Sequence, residues 1–217
     1  MAGSVVGVTP AQINELRAKP SLVRHLILVV REHHWKAQID DLIKRAPPDW
    51  RSSLEANHAR FEQSPAGREM AARLAEALAE IAGLGTIEYI LSLETSWHVL
   101  HYLFTGHVSP DGSPGDLLLA GEDVGEDIVE GPARLHDEAR TREFGQFLGG
   151  LDLARLQERI DLKEMRRVGV YGIPFEPGAE AGYEDVLREE VAFCVPRLRD
   201  YVREMSDKGN GLLVWMA

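Results

Sequence analysis

Cysteine is almost absent from this chain of 217 residues. Cys194 stands alone, so no intramolecular disulfide can form and nothing points to an oxidising compartment. Its neighbours Phe193 and Val195 mark it as a small buried hydrophobe rather than a nucleophile. Long apolar runs are missing too. The longest, Leu26 to Val30 and Leu212 to Ala217, fall far short of the ~20 residues that cross a bilayer. The opening MAGSVVGVTP has neither the basic stretch nor the apolar core of a secretory signal. A cytoplasmic protein with no membrane contact is expected.

Positive charge is scarce. Lys and Arg number 24 against 35 Asp and Glu, for a net charge of −11. A field of that sign repels phosphate backbones and disfavours nucleic acid as a partner. The densest basic stretch, KEMRR from Lys163 to Arg167, contains a Glu and suits a solvated helix end. Nucleotide signatures are lacking as well. GLGTIE has no third Gly in register and follows a helical pattern, the wrong order for a dinucleotide fold. There is no P-loop and no GxSxG elbow.

What is present is an ordinary globular composition, 44% hydrophobic and 27% charged, which argues for one folded domain over residues 1–217. Val5 to Val8 suits a short strand. Thr9, Pro10 and Gln12 then form a capping box and open a helix that Pro20 ends. Ser21 opens a second helix carrying Leu22, Leu26, Val29 and Val30, and on towards Ile39, Leu42 and Ile43, until Pro47-Pro48. Asp49 to Gly67 is polar, with isolated Trp50, Leu54 and Phe61, and is weakly helical in pattern. Pro65 restarts a helix with Met70, Leu74, Ala77, Leu78 and Ile81 on one stripe.

Thr86 to Leu91 is predicted as a strand, Thr95 to Thr105 as a helix, and Leu117 to Ala120 as a buried strand. Gly131 to Leu135 suits another strand. Helices follow up to Gly149-Gly150 and from Asp152, the second holding Leu153, Leu156, Ile160 and Leu162. Val168 to Ile173 reads as a strand or turn. After FEPGAEAG, a long helix from Tyr183 to Ser206 should bend or divide at Pro196, and Gly209-Asn210-Gly211 turns into a final strand. Helix pairs separated by short strands predict a mixed α+β domain with helices packed around a small mixed sheet.

One segment carries a chemical signal: LETSWHVLHYLFTG, Leu93 to Gly106. On a helix at about 100° per residue, Trp97, Leu100, Leu103 and Phe104 gather on one side. Glu94, His98, His101 and Thr105 gather on another, with Tyr102 beside them. A carboxylate and two imidazoles in line are what a metal site or general acid–base chemistry needs. The spacing argues against metal, because His98-x-x-His101 is not the i, i+4 pair of helical zinc proteases and no Glu lies between. Hydrogen-bonded core or interface histidines are the simpler expectation, with no metal and no cofactor. His33-His34-Trp35 is expected on the surface. The acidic run Glu122, Asp123, Glu126, Asp127 and Glu130 lacks EF-hand spacing and suits an exposed loop.

LETSWHVLHYLFTG resembles the signature of the YfbM-like family, bacterial proteins sharing L-D-K-x-W-x-x-L-H-Y-L-L-T-G. Leu93, Trp97, Leu100, His101, Tyr102, Leu103, Thr105 and Gly106 match; Glu94 stands for the Asp and Thr95 for the Lys. Gly131-Pro132-Ala133-Arg134 is similar to the family's later G-Y-G-P-A-R, with Val129-Glu130 in place of Gly-Tyr. Val170-Tyr171-Gly172 stands near an expected Tyr-Pro step, with Pro174 displaced. The resemblance implies a three-layer α/β/α domain and brings no reaction with it.

Two functions follow as expectations. The first is a non-catalytic module that binds a protein partner or small ligand through a groove beside the Trp97–His101 helix. Glu94, Trp97, His98, His101, Tyr102, Arg134 and Tyr171 are the candidate contacts, and neutralising a basic toxin, as an immunity protein does, would suit the acidic charge. The second is an enzyme using His98 and His101, with or without Glu94. Arg134 is expected either to contact an anion or to pair with Glu94. Burial discriminates: imidazoles that both point into a closed core and are fully hydrogen-bonded by protein groups exclude catalysis, while imidazoles in an open cleft facing Arg134 or Tyr171 favour it.

Overall fold

Two strands of six residues, β1 (Gly3–Val8) and β5 (Gly211–Met216), have every residue buried, which places them at the centre of a sheet covered on both faces. A computed structural model describes residues 2–94, 96–127, 131–173 and 182–216. Thr95, Val129, Glu130, Pro174 and the first seven residues of FEPGAEAG lie outside the described residues. Around the central pair stand β2 (Ile90–Glu94), β3 (Glu122–Val124) and β4 (Ala133–His136), in the order β2-β1-β5-β4-β3. The class is mixed α+β as expected, and every strand pairing in it is antiparallel.

The register fixes the two cores. Val5 pairs with Val214 and Val6 with Leu213, and side chains alternate between faces. Val5, Leu91, Leu93, Leu212, Val214 and Met216 therefore point to one core, and Val6, Val8, Val124, Leu135, Leu213 and Trp215 to the other. The second core is closed by α1 (Pro10–Ala18), α2 (Leu22–Arg45) and α4 (Pro65–Glu80), with α3 (Pro48–Glu62) between the last two. The first is closed by α5 (Trp97–Thr105), α6 (Glu138–Gly149), α7 (Leu153–Glu158), α8 (Leu162–Val168) and α9 (Tyr183–Asp207). Helices lie on both sides of one sheet, a three-layer arrangement.

Local chemistry explains the joints. Thr9 Oγ1 accepts from Gln12 N–H at 3.2 Å while Gln12 Oε1 accepts from Thr9 N–H at 2.8 Å, completing the capping box. Gln12 Nε2 also donates to the carbonyls of Leu84 and Thr86, so this buried amide is used in full and ties α1 to the approach of β2. Asp137, Asp152 and Asp161 cap α6, α7 and α8. Gly7 lies beyond the last β1–β2 pair, and its N–H donates to Tyr201 Oη at 2.7 Å; that hydroxyl donates to Tyr89 O at 2.7 Å.

Pro196 neither divides nor ends α9. A proline inside a helix costs about 3 kcal/mol. Eight side chains of α9 are buried on both sides of it, from Leu187 to Met205, and each contributes about 1.5–3 kcal/mol. Burial wins.

Other expectations shift. The strand predicted at 86–91 begins at Ile90 and runs to Glu94, so α5 starts only at Trp97. Leu117 and Leu118 are buried as expected but form a loop; of the stretch expected as a strand or turn, Val168 closes α8 and 169–173 is the turn, opened by Gly169 at φ 86. The helix opened by Asp152 divides into α7 and α8, because Asp161 caps a new one. Within the acidic run, Glu122 and Asp123 belong to edge strand β3 instead of a loop.

Candidate functional site

Three histidines hold the segment that follows α5. His98 Nε2 lies 3.0 Å from Val108 O, His101 Nε2 lies 3.3 Å from Ser109 O, and His136 Nε2 lies 2.9 Å from Leu117 O. An imidazole nitrogen facing a carbonyl must carry the proton, so each ring is a donor at Nε2. His98 is used at both nitrogens: its Nδ1 accepts from Tyr171 N–H at 2.7 Å. That pair of partners selects the neutral Nε2–H tautomer.

His101 and Asp116 have no exposed side-chain surface, and Nδ1 stands 3.5 Å from Oδ1. Burial pushes the His101 pKa below its ordinary value, and the nearby Asp116 charge opposes that shift without reversing it. The Asp116 carboxylate accepts from the N–H groups of Asp111 at 2.7 Å, Gly112 at 2.9 Å and Ala120 at 3.1 Å. A carboxylate, having only acceptor atoms, is matched by three donors. The segment 107–120 is thus wrapped around Asp116 and clipped outside by three imidazoles. His136 is buried, which lowers its pKa to about 4.

The structure brings together Trp97, His98, His101 and Tyr171. Trp97 stacks on His98 with ring centres 4.8 Å apart and on Tyr171 at 6.1 Å. Tyr102 is half-buried against the core, and Tyr171 is partly exposed. The other two candidates stand elsewhere. Glu94 belongs to β2 rather than to the helix, and its side chain lies outside the described residues. Arg134 pairs with Asp123 across β3 and β4. Two strands separate β4 from β2, about 14 Å at ~4.8 Å per strand, so the expected Arg134–Glu94 pair is replaced by a neighbour-strand one.

These positions decide the chemistry of the segment. His98 is 8% exposed with both nitrogens occupied by backbone groups, and His101 is fully buried. A general base needs a free nitrogen within reach of a substrate proton. His98 has no free nitrogen, and His101 Nδ1, which has no hydrogen-bond partner, is enclosed beside Asp116 without exposed surface. Among the described residues, no group of three or more His, Cys, Asp and Glu side chains is placed to hold a metal ion.

Exposed chemistry lies on the opposite layer. The C-terminal half of α2 runs on past its last buried residue, Val30, and α3, its antiparallel companion, has no buried residue at all. Trp35, Leu42, Trp50 and Phe61 are exposed there. A cavity of about 240 Å³ lies between the two helices, lined by Trp35, Ile39, Leu42, Ile43, Leu54 and Phe61. A second of about 460 Å³ shares Trp35 and Phe61 and reaches Ser4 and Ser92 of the sheet. The signal was the 4-3 spacing of Trp35, Ile39 and Leu42 on α2, with Trp50, Leu54 and Phe61 on one side of α3 and the polar Asn57 between the last two.

A model of a family described as a domain of unknown function (DUF1877) matches residues 1–215. The crystal structure of YfbM from Escherichia coli, a protein of unknown function, superposes with a TM-score of 0.57 at 16% identity, covering 99% of this chain and 98% of that one. That likeness shows the fold, as the resemblance of the LETSWHVLHYLFTG segment implied. No curated protein matches the chain. No described helix is long and apolar enough to cross a membrane.

Proposed function

The chain belongs to the DUF1877 family, and for this member we propose a non-catalytic protein-binding module whose recognition surface is the α2–α3 hairpin. The observation that carries this is the aromatic face itself: Trp35, 54% exposed, lines an apolar cavity, and Trp50, 70% exposed, stands one turn away beside Leu54 of the same cavity. Tryptophan and other aromatics supply most of the energy at protein interfaces, and large exposed ones seldom cluster on a surface without a partner. The His98–His101 helix serves a different end. Its imidazoles organise the fold, and we place recognition on the hairpin rather than in a groove beside that helix.

Capture of a basic toxin by negative charge finds no support at this face. Residues 31–62 carry six basic and six acidic side chains, so the hairpin is neutral and its recognition is apolar. A photo-cross-linking amino acid in place of Trp50 tests the proposal in cells. Discrete protein adducts are expected, lost when Trp35→Ser and Leu42→Ser are added. Adducts that persist with those changes, or that appear equally from a probe at Lys163 on α8, would overturn it.

A further inference from the structure

We infer that the cleft inside the α2–α3 hairpin binds a single-chain organic acid, with its carboxylate at the sheet and its apolar chain between the two helices. This site goes beyond the outward aromatic face and is independent of the protein partner proposed for it. A gradient of polarity along α2, a buried hydroxyl and an unpaired cation carry the inference.

Arg31, Trp35, Ile39 and Ile43 recur every fourth residue and form one ridge of α2. The outer end of that ridge is apolar: Trp35, Ile39 and Ile43 line the cavity of about 240 Å³ that Leu54 faces from α3. The inner end is polar. Arg31 and Trp35 line the cavity of about 460 Å³, where Ser4, Glu32 and Ser92 join them. The two cavities adjoin at Trp35 and Phe61, which line both. From Arg31 to Ile43 the ridge rises about 18 Å at 1.5 Å per residue, the reach of an extended acyl chain. The larger cavity alone falls within the roughly 300–1,000 Å³ of small-molecule sites. A ligand polar at one end and apolar at the other matches this order.

The hydroxyl is that of Ser4. Its side chain shares the α2 face of β1 with Val6 and Val8, and the residue is 8% exposed. Among the described residues this hydroxyl has no hydrogen-bond partner, and it lines the larger cavity. A hydroxyl so deeply placed normally finds an acceptor, and a carboxylate oxygen is one.

The cation is Arg31, which makes no hydrogen bond or ion pair among the described residues. A guanidinium takes a carboxylate through two parallel N–H bonds. Glu32 lines the same cavity and repels added negative charge, which favours a head of one charge over a phosphate. At the other end α3 buries none of its 15 residues, and an apolar chain lying along Leu54 and Phe61 would cover it.

Titration of the full chain with monomeric dodecanoate, followed by calorimetry and tryptophan fluorescence, tests this. One site per chain with a micromolar dissociation constant is expected. Arg31→Gln is expected to weaken binding about tenfold and Ser4→Ala about fivefold, both with unchanged circular dichroism. Leu42→Asp, which puts a charge at the apolar end, and the shorter hexanoate should each cost at least about tenfold. No saturable binding up to 100 μM overturns the site. Binding indifferent to Arg31→Gln or to Leu42→Asp is adventitious adsorption and overturns it as well. Equal affinity for dodecanol overturns the carboxylate head.

Discussion

Tyr171 donates its backbone N–H to His98 Nδ1 at 2.7 Å, and through that bond one imidazole joins three parts of the chain. The ring stands on α5, its other nitrogen holds Val108, and Tyr171 follows α8. Replacing His98 by Phe keeps the volume and removes both bonds. A buried backbone group left unpaired costs about 1–3 kcal/mol. His98→Phe is therefore expected to lower unfolding free energy by about 2–4 kcal/mol in urea, with most loss of amide protection at 107–112 and 170–172.

Asp116 should matter as much. Its carboxylate takes three N–H groups in a site with no water-exposed surface. Asp116→Ala orphans all three and leaves His101 facing a void, for an expected loss of about 3–5 kcal/mol. Asp116→Asn retains one acceptor oxygen and should lie between Ala and wild type. Thermal or urea unfolding of the pair checks the order.

The histidines set an acid limit. His136 titrates near 4 in the folded chain against 6.5 as its ordinary value, so between those values the unfolded chain binds a proton that the folded one does not. Stability from this group is complete above pH 6.5 and is lost as the pH falls towards 4. The loss is about 3 kcal/mol at 1.36 kcal/mol per pH unit. His101, also lowered by burial, acts in the same direction. Unfolding free energy measured in urea at pH 7, 5.5 and 4 should decline across that window, and less steeply in His136→Asn.

On α9, which covers the same face of the sheet as α5, Tyr201→Phe removes a single oxygen. Gly7 N–H and Tyr89 O lose their shared partner while the ring stays packed. The expected cost is about 1–3 kcal/mol, with exchange at Gly7 rising towards the global rate. A variant as stable as wild type would show that Gly7 finds another acceptor.

Much of this architecture was legible in the residues because its signals are local. Thr9-Pro10-x-Gln12 spells a capping box, Gly209-Asn210-Gly211 spells a turn, and both act where they stand. The strand before α5 was misplaced by a few residues because Thr86 to Tyr89 have strand-forming types but no partner beyond Ile90, where β1 ends its pairing. Leu117 and Leu118 read as a strand since burial alone cannot tell a strand from a loop wound around Asp116. The site was legible only as a set of residue types. Whether His98 and His101 face solvent depends on carbonyls at 108 and 109 and an amide at 171, and side-chain spacing says nothing of those.

The central claim is that the α2–α3 hairpin, not the His98–His101 helix, is where this protein meets its partner. Photo-cross-linking in cells from a probe in place of Trp50 on α3, compared with a probe in place of Tyr171 beside α5, tests it most directly. Discrete protein adducts are expected from position 50 and none from position 171. Adducts from position 171 with none from position 50 would contradict it.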